Sequence, residues 1–214
     1  MYKIYFKRLI DIVCAILAII VFGWLYLILA ILVRINLGSP IIFKQPRPGK
    51  NERIFQLYKF RSMKNTKDEN GKLLPDSKRL TKFGRILRST SLDELPEVWN
   101  ILIGDMSIVG PRPWTVGYLK YFTPEERRRH EVRPGLTGLA QVHGRTASNW
   151  GIRLKYDIDY VDNITFMNDL KIICLTVKKC IARADYKEAE QQGNFSDYRR
   201  KQWEEGVVPR PPDC

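Results

Sequence analysis

The sequence predicts an α+β protein, mainly α-helical, in which a small globular domain with one short β-hairpin follows an N-terminal membrane helix. Three observations carry this expectation. A membrane-length apolar run opens the chain, two short β-prone stretches flank a Pro-Gly turn, and much of the remainder repeats at helical spacing behind capping residues. At 214 residues there is room for one compact domain and an anchor. The expected divisions are an anchor over residues 1–37, a globular domain over 38–183 and a polar C-terminal tail over 184–214.

From Ile12 to Val33 no side chain is charged, a run of about 22 residues that at 1.5 Å per residue can cross a hydrocarbon core of roughly 30 Å. A cleavable signal peptide would use Lys3, Lys7 and Arg8 as its basic region. The run, however, is longer than the usual stretch of roughly 7 to 15 residues, and no small-x-small cleavage site follows it. Basic residues flank it on both sides, with Arg34, Lys44, Arg47, Lys50 and Arg53 after it. Because positive charge marks the cytoplasmic side, a single crossing would strand one cluster outside, whereas a re-entrant helix keeps both in the cytoplasm. No proline lies between Ile12 and Leu37, so a bend there has to rely on Gly23, packing or a lipid-facing Trp24.

The net charge of +13 suits an anionic partner, and beside a membrane segment that partner is the anionic inner leaflet rather than nucleic acid. No zinc-finger spacing, RNP-type aromatic motif or basic heptad helix is present. Cys14, Cys174, Cys180 and Cys214 form no CxxC pair and read as thiols of a reducing compartment, and His130 and His143 lack a second histidine at ligand spacing.

After the anchor, Ile41–Phe43 and Ile54–Phe60 read as strands around Pro48-Gly49, and Asn65 to Asp76 as a polar loop. Leu80, Phe83 and Leu87 predict a helix with a basic side at Lys82, Arg85 and Arg88. Ser91 with Glu94 three residues on has the capping-box pattern, opening a helix whose apolar face is expected at Leu95, Val98, Trp99 and Leu102. Thr123-Pro124-Glu125-Glu126 opens another capped helix. Phe166 to Arg183 carries an apolar stripe against Lys171, Lys178, Lys179 and Arg183. This surface amphipathic helix either lies on a bilayer or packs on the domain core.

The chemistry concentrates at Asp93 and Glu94. One residue apart on a helix, they point roughly 100° from each other and cannot share one proton, so they have separate jobs. At a helix start, near Arg85 and Arg88, a carboxylate stays ionised. An ionised aspartate beside bound phosphate can attack phosphorus and form an acyl-phosphate, although Asp93 could instead simply pair with Arg88 and Glu94 could serve as the cap. Arginine is the side chain best matched to phosphate oxygens, and Arg112, Arg133 and Arg145 sit among turn-forming Pro and Gly. Lys59 is a charge among apolar strand neighbours, reaching into a site or marking a sheet edge. Asp169, opening the amphipathic helix, is expected to pair with a basic residue.

Several motifs in one order carry a resemblance: Lys7-Arg8 with Asp11, Arg47-Pro48-Gly49, Tyr58-Lys59-Phe60-Arg61-Ser62-Met63, Ser91 to Pro96, Gly104-Asp105-Met106-Ser107, Gly110-Pro111-Arg112-Pro113 and Arg133 to Val142. Over residues 3 to 183 the chain resembles the bacterial sugar transferases of the monotopic phosphoglycosyl transferase type, in their small form limited to the catalytic domain. The resemblance implies transfer of a sugar-1-phosphate from a UDP-sugar to polyprenyl (undecaprenyl) phosphate with release of UMP and a requirement for Mg2+. Asp93 is then the nucleophile that forms the covalent phosphosugar intermediate, Glu94 its neighbour, and both are candidate Mg2+ ligands. Lys59, Arg88, Arg112 and Arg145 are expected to neutralise phosphate, with Arg133, Asp169 and Arg8 in support. The implied place is the cytoplasmic face of the bacterial inner membrane, in a glycan-assembly pathway with downstream glycosyltransferases. A membrane-bound nucleotide-sugar hydrolase and a non-catalytic basic membrane scaffold are the alternatives.

Overall fold

The computed structural model describes residues 1–144, 149–182 and 193–210. The chain divides into two compact units, one formed by Met1–Leu9, Pro46–Phe55 and Gly104–Cys214, the other by Ile10–Gln45 and Gln56–Ile103. Mostly helical with short sheets, it has the α+β character the sequence predicts.

A π-helical turn, Tyr2–Phe6, leads into α1, Lys7–Leu37, one unbroken α-helix of 31 residues that continues through Gly23 and Trp24. At 1.5 Å per residue it is about 46 Å long, enough to cross a membrane. Most of its apolar side chains are exposed, Ile20, Trp24, Leu27 and Ile35 among them. In the unit of Ile10–Gln45 and Gln56–Ile103, its C-terminal turns supply Leu29, Val33 and Leu37 to a core with Phe60 and Leu87.

Strands β1, Ile42–Pro48, and β2, Ile54–Phe60, pair across the Pro48-Gly49 turn. Phe55 and Leu57 point inward as the alternation predicts. A short helix α2, Asp76–Arg79, precedes α3, Lys82–Ser89. The expected helix start at Leu80 is corrected by two residues: Leu80 bridges to Met63, and the Thr81 side chain caps α3 by accepting from the Gly84 amide.

Two expectations around α4, Glu97–Ile103, are overturned. Ser91 has left-handed backbone angles and makes no side-chain cap, and a 3-10 turn, Leu92–Glu94, takes the place of the first helical turn. The buried side of the segment carries Asp93, Glu97, Asn100 and Ile101, whereas Trp99, expected inside, is 44% exposed. Glu97 and Asn100 turn inward because each finds a partner there, as described below.

In the other unit, β3, Ser107–Val109, runs parallel to β4, Gly135–Thr137, with Ser107 opposite Gly135 and Val109 opposite Thr137. The sequence reading missed this ladder because each strand is only three residues long. Helix α5, Pro124–Arg127, has the predicted Thr123–Glu126 capping box. Helices α6, Leu139–Gly144, α7, Trp150–Asp162, and α8, Phe166–Ala182, surround a core of Val109, Val132, Val142, Tyr160, Val161 and Ile172. α8 has two apolar sides. Ile172, Ile173 and Leu175 pack inward, while Met167, Leu170 and Val177 stay exposed with Lys171 and Lys178.

The stretch expected to be a polar tail holds α9, Phe195–Glu204. Its Phe195 is fully buried among Trp114, Tyr118, Tyr121, Phe122 and Trp150, with ring centroids 5.1 to 6.4 Å away.

Candidate active site

Asp93, in the 3-10 turn, is 8% exposed, and with Glu97 and Asn100 of α4 it makes up a stripe of buried polar residues along the segment. Asn100 explains why the stripe can be buried. Its side-chain oxygen accepts from the Tyr58 amide at 3.0 Å and its Nδ2 donates to the Gln56 carbonyl at 2.7 Å, which ties α4 to the backbone of β2. This tie sets the register of the acids against Lys59 on the same strand. The Lys59 ammonium then lies 2.7 Å from Glu94 Oε1 and 3.0 Å from Glu97 Oε1. Glu94 is therefore a partner of Lys59 rather than a helix cap, and Lys59 is half-buried and paired with two carboxylates rather than solvated at a sheet edge. Arg88, on α3, donates from Nε to Ser62 Oγ at 2.9 Å, joining α3 to the residues just past β2.

Neither Glu97 nor Asn100 is among the residues the sequence reading singled out. The signal was present as the i, i+4, i+7 polar spacing, but it was obscured by taking Trp99 and Leu102 as the inward side.

The other predicted site residues belong to the other unit. Arg112 lies in the Gly110–Pro113 turn, whose backbone is held twice: Arg129 Nη2 donates to the Arg112 carbonyl at 2.7 Å, and Arg47 Nη1 to the Pro113 carbonyl at 3.0 Å. Arg129 is itself buried, paired through Nη2 with Asp157 Oδ2 at 2.7 Å and stacked 4.4 Å from the Trp114 ring centroid. Burial raises the Asp157 carboxyl pKa, and the Arg129 charge opposes that rise. Beside it, burial first and then the Arg129 and Arg127 charges push the His130 imidazole down to about 3, so at neutral pH this buried ring is neutral.

Arg133 donates from Nε to the Gly104 carbonyl at 2.9 Å, and a β-carbon on Gly104, where φ is +98°, would meet Arg8 Nη2 at 3.2 Å. Arg133 and Arg8 thus gather at the turn that leads into β3. Asp169 finds its expected basic partner in Lys7 at 2.6 Å and also accepts from the hydroxyls of Tyr2 at 2.7 Å and Tyr160 at 2.8 Å. The N-terminal turn is thereby fastened to the start of α8. Arg145 lies outside the described residues. Among those described, no group of three or more His, Cys, Asp or Glu is arranged to hold a metal by itself.

Residues 2–183 match the family described as bacterial sugar transferase. The chain is 49% identical over 82% of its length to the "uncharacterized sugar transferase EpsL" of Bacillus subtilis, covering 87% of that protein. It is 39% identical, over 80% of its length and 68% of the relative's, to a UDP-glucose:undecaprenyl-phosphate glucose-1-phosphate transferase of Caulobacter vibrioides. A Klebsiella pneumoniae protein of the same name is 40% identical over 81% of this chain but only 40% of its own length. With the family match extending from the N-terminal turn to the end of α8, and with the acid pair and its lysine inside it, the chain belongs to the bacterial sugar transferase family.

Proposed function

We propose that this enzyme transfers a sugar-1-phosphate from a UDP-sugar to polyprenyl (undecaprenyl) phosphate and releases UMP, as the first membrane step of glycan assembly. The observation that carries the reading is the buried Asp93 in the same inward stripe as Glu97, beside a Glu94 already engaged by Lys59. Relatives whose names state this type of reaction support it.

In the first step an Asp93 carboxylate oxygen attacks the phosphorus attached to the sugar. The bond from that phosphorus to the bridging oxygen breaks, and UMP leaves with the electron pair. In the second step an oxygen of polyprenyl phosphate attacks the same phosphorus, the bond to Asp93 breaks, and the free carboxylate returns. Positioning and neutralisation of charge are the main demands of phosphoryl transfer, and Lys59, Arg88, Arg112 and Arg145 are proposed to meet them. Glu94 and Glu97 keep the Lys59 ammonium in place. Mg2+ suits the Asp93 and Glu94 pair, since this ion takes one or two carboxylates and completes its shell with substrate phosphates and water. When bound, it would supply positive charge toward the transferred phosphate.

α1 is proposed to enter and leave on the cytoplasmic face of the inner membrane, because basic residues flank its apolar run on both sides. The exposed Met167, Leu170 and Val177 beside Lys171 and Lys178 suit α8 to the same lipid surface.

The deciding assay incubates the detergent-solubilised protein with UDP-sugars, Mg2+ and polyprenyl phosphate. UMP release that requires the lipid is the expected result. Release without lipid would make the protein a hydrolase, and no release a scaffold. Asp93→Asn should abolish turnover and leave the fold intact, and retained turnover would move the nucleophile to Glu94. For topology, a single new cysteine at Tyr2, in a variant without the native cysteines, should escape an impermeant thiol reagent on intact cells. Labelling there would mean a simple crossing.

A further inference from the structure

A cleft of about 370 Å3 lies where α9 packs against the 3-10 stretch Val116–Tyr121, lined by Lys120, Tyr121, Arg200, Trp203, Glu204 and Arg210. That size is within the range of small-molecule sites, roughly 300 to 1,000 Å3. Four of the six lining residues lie beyond residue 183, where the family match ends, so the shared family activity does not account for them.

Among the described residues, the lining carries Lys120, Arg200, Arg210 and Glu204 around a stacked aromatic pair. The Tyr121 and Trp203 rings are 5.6 Å apart at 29°. Lys120 Nζ sits 5.2 Å from the Tyr121 ring centroid, Arg210 Cζ 5.7 Å from that of Trp203, and Arg200 Nη2 donates to the Tyr121 hydroxyl at 3.4 Å. A ring face restrains a cation without cancelling its charge, so the pair holds positive groups around one cavity and lowers the entropy cost of converging on an anion. Trp203 Nε1 is buried and has no hydrogen-bond partner among the described residues.

We propose that this cleft is a second binding site, taking the phosphomonoester group of a small hydroxyl-bearing ligand. Two guanidiniums offer forked donors matched to phosphate oxygens, and the lysine adds a point charge. Glu204 can accept from sugar or ribose hydroxyls, and the ring pair gives an apolar wall for the body of the ligand. A soluble sugar or nucleoside phosphate and a lipid headgroup share this chemistry.

Isothermal titration of the detergent-solubilised full chain distinguishes them, with UMP, inorganic phosphate and short-chain phosphatidic acid as probes. Wild type is expected to bind at least one probe in an event that R200Q/R210Q weakens about 30-fold or more, at unchanged lipid-dependent UMP release. Binding of UMP or phosphate assigns a soluble ligand, and binding of phosphatidic acid alone assigns a headgroup. Matching isotherms for wild type and R200Q/R210Q with every probe would overturn the site. Should the double variant unfold, E204Q serves instead. Glu204 is exposed, and removing this carboxylate, the only one among the described lining residues, should tighten inorganic phosphate about threefold, whereas an unchanged affinity counts against the proposal.

Discussion

At the scale of single residues, Asn100 decides where the acids stand. It is fully buried and satisfies one donor and one acceptor of the β2 backbone, a service that no apolar side chain of similar size can perform. Asn100→Ala leaves the Tyr58 amide and the Gln56 carbonyl without these partners, which should cost about 2 to 4 kcal/mol. It should also lower turnover about tenfold or more, because Lys59 and the carboxylates lose their common register. A thermal melt and the UMP-release assay check both, and an unchanged melting temperature would refute the structural role. Lys59, Asp93 and Glu94 were legible as candidates from residue type and motif alone. Their pairing was not, since it rests on an asparagine whose two bonds reach residues more than forty positions away.

At the scale of elements, glycines explain why two of the motifs belong together. A β-carbon on Gly110 would stand 2.5 Å from the Arg133 carbonyl oxygen, one on Gly135 would stand 2.1 Å from the Gly110 nitrogen, and one on Gly138 would stand 2.2 Å from the Gly110 oxygen. The turn bearing Arg112 and the turn after Arg133 therefore touch backbone to backbone, with β3 and β4 as the ladder between them. Gly135→Ala should destabilise the protein by about 3 kcal/mol, since backbone rather than a flexible side chain must yield. Gly117→Ala, with nothing within 4 Å of the added carbon, is the control and should be near neutral. Equal melting temperatures for the two variants would dismiss the close approach as the reason for the glycine. The same scale accounts for the misread face of α4. Apolar periodicity marks the buried side only when the buried partners are apolar, and here they are a lysine and two strand peptide groups.

At the scale of the whole molecule, α9 is structural rather than a tail. Phe195 has no exposed surface, and Arg199 beside it is 1% exposed and reaches Glu126. Phe195→Ala should cost about 3 to 5 kcal/mol and lower the melting temperature of the unit that holds Arg112. Arg129 gives a route from that cluster to the turn, since it stacks on Trp114 and holds the Arg112 carbonyl. A melting temperature unchanged by Phe195→Ala would return the segment to the role of a dispensable tail.

The sequence by itself determined the membrane-length helix, the hairpin and the capped start of α5, and it picked out Asp93 and Glu94 as candidates, because each is written in local patterns of charge, spacing and turn chemistry. Only the tertiary structure decided that Glu94 holds Lys59 instead of capping a helix, that Glu97 and Asn100 turn inward, and that α9 completes an aromatic core. Those outcomes depend on which distant donor or ring each residue meets. A buried polar group is stable only beside its partner, and no local pattern names that partner.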